Sequence, residues 1–176
     1  MNFSLPEAIE VLERTPKTLE ALLSGLSTAW LTCREGEKTW NAKEVVEHFI
    51  YAEKQNWIPR LQTILEQTEN KAFPPFDRFA HLQQASGSKM EERITEFHQL
   101  RQQNIAKLKQ LVTVDQQLEL TGIHPEFGEV KTKELLATWV VHDLTHLAQI
   151  GRVMAKRYSD DVGPWKAYIS ILNAKT

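Results

Sequence analysis

The sequence predicts an all-α protein, an up-down four-helix bundle with short extra helices. Only seven glycines and seven prolines occur in 176 residues, which is few for a turn-rich β-fold. Four long stretches repeat apolar residues at the helical period, and no stretch alternates as a strand does. Because the length suits one core, we expect residues 1–176 to form a single domain.

The first stretch carries two helix start signals. Ser4 followed by Glu7 matches a capping box, and Thr15 followed by Pro16 is a second start signal farther along. We therefore expect the chain up to about Leu31 to form two short helices or one kinked helix.

The second stretch opens with Asn41 and Glu44, another capping box, and is expected to run to roughly Leu65. Pro59 lies inside it and should bend or break the helix. Two apolar stripes follow the helix, the second with His48 at its edge, so the helix should be buried on more than one side. The stripes consist of Val46, Ile50, Trp57, Leu61 and Ile64, and of Val45, Phe49 and Ala52.

The rest of the chain predicts two further long helices and a short one. Ser88 and Glu91 predict the cap of the third helix, which should run to about Val112. A loop containing HPEFG then leads to the fourth helix, from about Lys133 to Tyr158, and Gly163–Pro164 begins a last short helix.

Arg101 falls in the middle of the apolar face of the third helix. An arginine in that position is buried only if it is paired. Two interpretations stay open at this point. One is an ion pair with Asp77 or Asp143, and the other is a clamp on an anionic substrate.

The composition excludes several classes of protein. Twenty-one Lys and Arg against 23 Asp and Glu give a net charge of −2, which lacks the basic surplus of duplex-binding proteins, so no nucleic-acid partner is expected. Cys33 is the single cysteine, so no internal disulfide forms and a cytoplasmic location is expected. No signal peptide or membrane span is apparent, so we expect no membrane association.

His142 and His146 stand four residues apart in the fourth stretch, so on a helix they lie about 6 Å apart along the axis and on one side. That face also carries Gln149 and the apolar residues Leu135, Trp139, Ile150 and Val153. Both imidazoles should therefore point into the bundle, where they need partners. A divalent ion bound by neutral imidazole is one solution, and hydrogen bonds to polar neighbours in the core are the other. No glutamate follows His142, so the pattern is not the H-E-x-x-H of zinc proteases.

A good metal site needs a third ligand from elsewhere in the chain. Of the other histidines, only His48 lies on the apolar side of a long central helix. His81 and His124 fall in predicted loops, and His98 flanks the face that carries Arg101. Position makes His48 the first candidate for the third ligand.

Three segments resemble the DinB/YfiT-like family of metal-binding four-helix-bundle proteins. The segments read WNAKEVVEHFIYAEKQNW, HPEFGEVKTKELLATWVVHDLTHLAQIGR and VGPWKAYISIL, and together they extend the resemblance over nearly the whole chain. The resemblance implies one divalent ion, nickel or zinc first and manganese or iron next, held by His48, His142 and His146. It also implies that a homodimer is plausible.

The resemblance implies three kinds of function. The first is a thiol-dependent S-transferase, in which a low-molecular-weight thiol such as bacillithiol or mycothiol attacks an electrophilic small molecule. The second is a metal-dependent hydrolase, and the third is a binding or stress-response protein that uses the ion without turnover. Three histidine ligands leave a coordination position for water or substrate, as in catalytic zinc sites.

A hydrolase would need a general base beside the ion. Asp143 lies about 100° round the helix from His142, and Glu47 and Glu53 lie off the face of His48. The lack of a well-placed base favours thiol chemistry. As residues that contact the cofactor or substrate, the sequence offers three candidates, namely Arg101, His124 and Gln149. For His124, the alternative is a role in shaping its loop.

Overall fold

The computed structural model describes residues 3–66, 71–84 and 87–173. Its long helices are α1 (Leu5–Leu23), α3 (Ala42–Gln55) continued by α4 (Trp57–Leu65), α5 (Met90–Leu111) and α6 (Thr132–Lys156). Helices α1 and α3 each pack against both α5 and α6. Helices α1 and α3 are consecutive among the long helices, but they therefore occupy opposite corners of the bundle. The predicted four-helix bundle is confirmed.

Short elements lie between the long helices and after the last of them. They are α2 (Thr28–Leu31), β1 (Thr121–His124), β2 (Gly128–Lys131), α7 (Ser170–Asn173) and 3-10 helices at Ala80–Gln84, Asp115–Glu119 and Gly163–Tyr168. Within the described ranges, no helix has both the length and the apolar character that a membrane span requires.

Helix α1 begins at the predicted N-cap, where the Ser4 hydroxyl accepts the amide of Glu7 at 3.5 Å. The second predicted start at Thr15 is wrong, because α1 continues through Pro16 to Leu23. A proline leaves the carbonyl four residues earlier without its helical donor. Here that carbonyl belongs to Leu12, and it accepts a hydrogen bond from Arg101 Nη1 at 2.9 Å.

The predicted capping box of Asn41 and Glu44 is confirmed, with both reciprocal bonds at 2.9 Å. The predicted break near Pro59 is also confirmed, since α3 ends and α4 begins at Asn56. Pro59 then lies in the first turn of α4, where a missing backbone N–H leaves no helical bond unmade.

Helix α5 begins at Met90, and the predicted capping pair Ser88–Glu91 is wrong. The carboxylate of Glu92 accepts the Lys89 amide at 3.3 Å. The carboxylate of Glu91 instead accepts the amide of Gly25, at the end of α1. Glu91, which the local sequence pattern assigned to the helix cap, therefore makes a tertiary contact instead.

The segment predicted as a loop before the fourth helix is an antiparallel hairpin of β1 and β2, with Thr121 opposite Lys131 and His124 opposite Gly128. Ile123 also exchanges backbone hydrogen bonds with Lys71 and Phe73, both at 2.8 Å. Gly122 lies so close to Phe73 that a Cβ atom there would be 2.5 Å from the ring. This contact fixes the hairpin against one end of the bundle.

Two apolar clusters form the core, and a polar layer separates them. Along α5, Arg101 lies between Phe97 of one cluster and Ile105 of the other. Along α6, the residues between Trp139 and Ile150 include His142, Asp143 and His146. The fold thus places the candidate site residues at one level across the bundle.

Candidate metal centre

His48 on α3 and His142 and His146 on α6 come together in this layer. One ring nitrogen from each lies within 4.8 Å of the other two, and His48 Nε2 is 3.0 Å from His142 Nε2. In the part of the chain that the structure describes, no other group of three His, Cys, Asp or Glu residues has this spacing. The three histidines singled out from the sequence are therefore the three that the fold assembles.

Burial keeps two of the three rings neutral. Burial and the neighbouring histidines lower the pKa of His48 to about 2. Burial, with the charge that His142 would carry, lowers the pKa of His146 to about 4. Since a neutral imidazole is the form that binds metal ions, these two rings are in the binding form at neutral pH.

Gln149 orients one of the three rings. Its side-chain oxygen accepts a hydrogen bond from His146 Nδ1 at 2.7 Å, so the proton is on Nδ1 and the lone pair of Nε2 is free. Metal-binding histidines are usually held by such a bond from the opposite nitrogen. Gln149, a predicted binding candidate, thus fixes the tautomer of His146.

Aromatic rings enclose the histidines. The Trp40 ring stacks on His146 with 5.9 Å between ring centroids and lies 4.8 Å from the ring of His48. Trp57 and Phe49 meet the His142 ring edge to face, at 5.1 and 5.9 Å. These contacts limit the rotation of the imidazoles and exclude competing polar partners.

The donor set fits a divalent metal ion. Two nitrogens bound to one ion at about 2.0–2.1 Å stand about 3.0–3.4 Å apart, and the observed separation of His48 and His142 is 3.0 Å. Three imidazoles supply the ligands that zinc, nickel and related ions accept. The cluster could therefore hold a divalent ion and leave further positions for water or substrate.

A cavity of about 600 Å³ opens onto the three histidines. Its walls are largely aromatic, and their rings include Trp40, Trp57, Phe73, Phe76, Phe79 and Phe127. Two carboxylates lie among the described lining residues, and both are engaged. Glu35 binds Arg152 through both oxygens, and Glu134 accepts the amide of Lys131.

His124 lines this cavity, as the sequence suggested, and it also shapes its loop. Its Nδ1 accepts the backbone amides of Glu126 and Phe127 at 3.1 and 3.3 Å. Its ring stacks on Phe127 at 4.5 Å. Both interpretations of His124 are therefore compatible with its position.

Arg101 forms a separate buried cluster, which we call the Arg101 cluster, with Glu53, Asn104 and Asp143. Its guanidinium binds both oxygens of Asp143, at 2.6 and 3.1 Å, and donates twice to Glu53, at 2.8 and 3.1 Å. The predicted partner Asp143 is confirmed, and the alternative Asp77 is wrong, since the Asp77 carboxylate accepts the amide of Phe79. Arg101 does not line the histidine cavity.

The remaining acceptors of the Arg101 cluster are also filled. Glu53 accepts the Trp139 indole at 3.1 Å and the Asn104 amide at 2.9 Å. Burial raises the pKa of Glu53, against the opposing charge of Arg101. Although burial opposes it, Arg101 lowers the pKa of Asp143. Asp143 is thus held as a structural partner of Arg101, in line with its unsuitable position as a base.

Two residues beside the site were missed from the sequence. His81 was predicted in a loop, but it lies in the Ala80–Gln84 helix, is 2% exposed and contacts Trp40 and His48. Arg60 lines the cavity and is 8% exposed. The signal for Arg60 in the sequence was a charged residue among the apolar residues Trp57, Leu61 and Ile64. A charge on an apolar face also drew attention to Arg101.

Comparison with known proteins gives four findings. The family model described as the DinB superfamily matches residues 11–150. The fold is similar to that of YfiT from Bacillus subtilis, described as a probable metal-dependent hydrolase with an unusual four-helix bundle topology. That match has a TM-score of 0.74 and 21% identity over 92% of this chain and 91% of YfiT. The four-helix bundle protein TT2238 matches with a TM-score of 0.56 and 24% identity, over 84% of this chain and 98% of its own. No curated protein matches the chain.

Proposed function

This chain belongs to the DinB superfamily, and from that premise we propose that it is a metal-dependent enzyme acting on small molecules. In this proposal His48, His142 and His146 bind one divalent ion. Nickel and zinc are the first candidates, and manganese and iron also accept imidazole ligands. The convergence of three imidazoles on one point, two of them held neutral by a lowered pKa, supports this assignment.

We propose that the reaction is the transfer of a low-molecular-weight thiol to an electrophilic small molecule. A bound divalent ion supplies the chemistry for this, since it lowers the pKa of a coordinated thiol. The cavity provides room for both reactants beside the histidines, and its walls are largely aromatic.

The observation that carries this choice is the state of the carboxylates around the cavity. Glu35 and Glu134, the two acidic residues in its described walls, are engaged with Arg152 and with the Lys131 amide. Asp143 is engaged with Arg101. A thiol that arrives with its own nucleophilic sulfur needs no protein base at this point. It needs no protein thiol either, and Cys33 does not line the cavity.

The second candidate is metal-dependent hydrolysis, with water in the open coordination position. The structural similarity to YfiT, described as a probable metal-dependent hydrolase, favours this alternative. A third candidate is a stress-response or binding protein that holds the ion without turnover. A homodimer remains a prediction from the family resemblance, and a cytoplasmic location remains a prediction from the single cysteine.

The test uses the cobalt-substituted protein, because a sulfur ligand on cobalt gives an intense charge-transfer band near the ultraviolet. Bacillithiol, mycothiol, glutathione and cysteine are added in turn, and at least one should produce the band. The band should strengthen as the pH rises toward the thiol pKa of about 8.5, because coordination releases the thiol proton.

The matched controls are two histidine variants. His142→Ala should abolish the band, whereas His98→Ala, which changes a histidine on α5 outside the site, should preserve it. If no thiol gives the band while ester or amide substrates turn over, the hydrolase proposal replaces the transferase proposal. If neither a band nor turnover is found in the metal-loaded protein, the binding-protein proposal takes its place.

A further inference from the structure

Arg60 lies in α4 and faces the cavity that holds the three histidines. The residue is 8% exposed, and its Nε is buried without a hydrogen-bond partner. In the described chain no carboxylate lies within ion-pair distance of this guanidinium. Burial lowers the pKa of Arg60 from its ordinary value, but a guanidinium stays protonated in proteins.

The surroundings of Arg60 are apolar. Its guanidinium carbon lies 5.2 Å from the centre of the Phe73 ring and 5.9 Å from that of Phe76. These contacts hold the guanidinium between aromatic faces, but they provide no hydrogen-bond acceptor. One turn earlier on α4, Asn56 also lines the cavity, and its buried side-chain oxygen has no partner.

Comparison with Arg101 shows what Arg60 lacks. Arg101 is buried more deeply still, at 1% exposed, but it is neutralised by two carboxylates, Glu53 and Asp143. A buried charge without a partner is expensive, so proteins keep one only where a partner arrives. The open side of Arg60 is the cavity, and the partner must come from there.

We propose that Arg60 is the residue that binds a carboxylate group of the substrate in this cavity. A guanidinium presents parallel N–H donors that match a carboxylate, and a single cation matches its single charge. The Phe73 and Phe76 rings then receive the apolar body of the same molecule. The inference rests on the proposed function in one respect, that the cavity is the substrate site, and it defines the substrate as an apolar or aromatic carboxylic acid.

The test measures binding to chelator-treated protein, so that direct coordination of the carboxylate to a metal cannot produce the signal. Three probes are titrated by calorimetry, namely 3-phenylpropionate, its neutral amide 3-phenylpropanamide, and inorganic phosphate. The acid should bind in a saturable manner and at least about tenfold more tightly than the amide, because only the acid makes charge-assisted hydrogen bonds. Phosphate should show no binding that depends on Arg60.

The matched variants are Arg60→Met and Arg78→Met, since Arg78 lies in the same wall but is exposed. Arg60→Met should weaken the binding of the acid by about ten- to a hundredfold and leave the binding of the amide unchanged. Arg78→Met should change neither by more than about twofold. Should Arg60→Met fail to fold, Arg60→Lys replaces it, and this variant should weaken binding because it keeps the charge but loses the planar fork.

Two results would overturn the inference. One is equal affinity of the acid for the wild type and the Arg60 variant, and the other is binding of phosphate through Arg60 in preference to the acid. Metal content, measured by elemental analysis, separates this test from that of the proposed function. A protein that binds the acid through Arg60 but no metal refutes the metal centre alone, and one that binds metal but not the acid refutes the subsite alone.

Discussion

The Arg101 cluster and the three-histidine cluster lie side by side in the polar layer of the bundle. Helix α6 contributes successive residues to them, with His142 in one and Asp143 in the other. In the Arg101 cluster, the carboxylates of Glu53 and Asp143 accept the hydrogen bonds of the arginine, and Asn104 donates to Glu53. In the histidine cluster, one ring nitrogen from each residue lies within 4.8 Å of the other two, and Nδ1 of His48 and of His142 has no hydrogen-bond partner among the described residues. A buried polar group that is complete by itself stabilises the fold, whereas an incomplete one indicates a ligand.

The largest expected effect is on the complete cluster. Arg101→Met should lower the free energy of unfolding by about 3–5 kcal/mol, because Glu53 and Asp143 are then buried as unpaired carboxylates. Urea denaturation followed by circular dichroism measures the change. The control is Lys109→Met, which removes an exposed pair with Glu13 and should have little effect. If the Arg101 variant is as stable as the wild type, the Arg101 cluster does not stabilise the fold, and the distinction between the two clusters is lost.

Loss of a histidine should have the opposite effect, because it should weaken metal binding strongly and change the stability of the fold only slightly. His142→Ala should weaken metal binding by more than about a hundredfold, since even outer-shell partners of metal ligands contribute ten- to a hundredfold. The metal-free variant should keep its helices and lose no more than about 1 kcal/mol of stability, because the caps and the apolar clusters do not depend on the ion. Competition with a chromophoric chelator gives the affinity, and circular dichroism after chelation reports the fold. Loss of most helical signal on chelation would show that the ion is structural.

The smallest expected effect is on the orientation of one ligand. Gln149→Ala removes the acceptor that holds His146 Nδ1 and should weaken metal binding by about tenfold without unfolding the protein. Gln102→Ala is the control, because Gln102 also contacts a histidine of its own helix, His98 on α5, through its side-chain nitrogen and outside the site. An unchanged metal affinity in the Gln149 variant would mean that aromatic packing alone sets the ring of His146.

Much of this arrangement was predictable from local patterns. The capping box at Asn41 and the helical period placed His48, His142 and His146 on inward faces, and the fold brings them together. An arginine in an apolar face also predicted a buried partner, and Asp143 is one. These predictions succeed because they depend only on positions along one helix and on the cost of burying charge.

The missed features depend on contacts between distant segments. Thr15 and Pro16 were read as a second helix start, because proline is favoured at the first helical position. The helix instead continues through Pro16, and Arg101 supplies a donor to the Leu12 carbonyl from 89 residues away. The hairpin escaped notice because its strands are four residues long and the pairing relies on contacts with Lys71 and Phe73. The repeat of apolar residues along one helix does not show which side chain of a neighbouring helix will pack against it. The pairing of Glu53 with Arg101 therefore became visible only in the structure.

The succession of His142 and Asp143 also bears on how an ion would enter and leave. Local unwinding of α6 at His142 would pull the next residue away from Arg101 and strand both charges in the core. Fraying of this part of α6 is therefore as unfavourable as global unfolding, and its amide hydrogens should exchange with solvent only through the globally unfolded chain. An ion would then enter and leave through the mouth of the cavity while the helix stays folded. An ion bound by the three imidazoles would then have a residence time set by access through that mouth and by its bonds to them, and not by local unwinding of the helix that carries two of them.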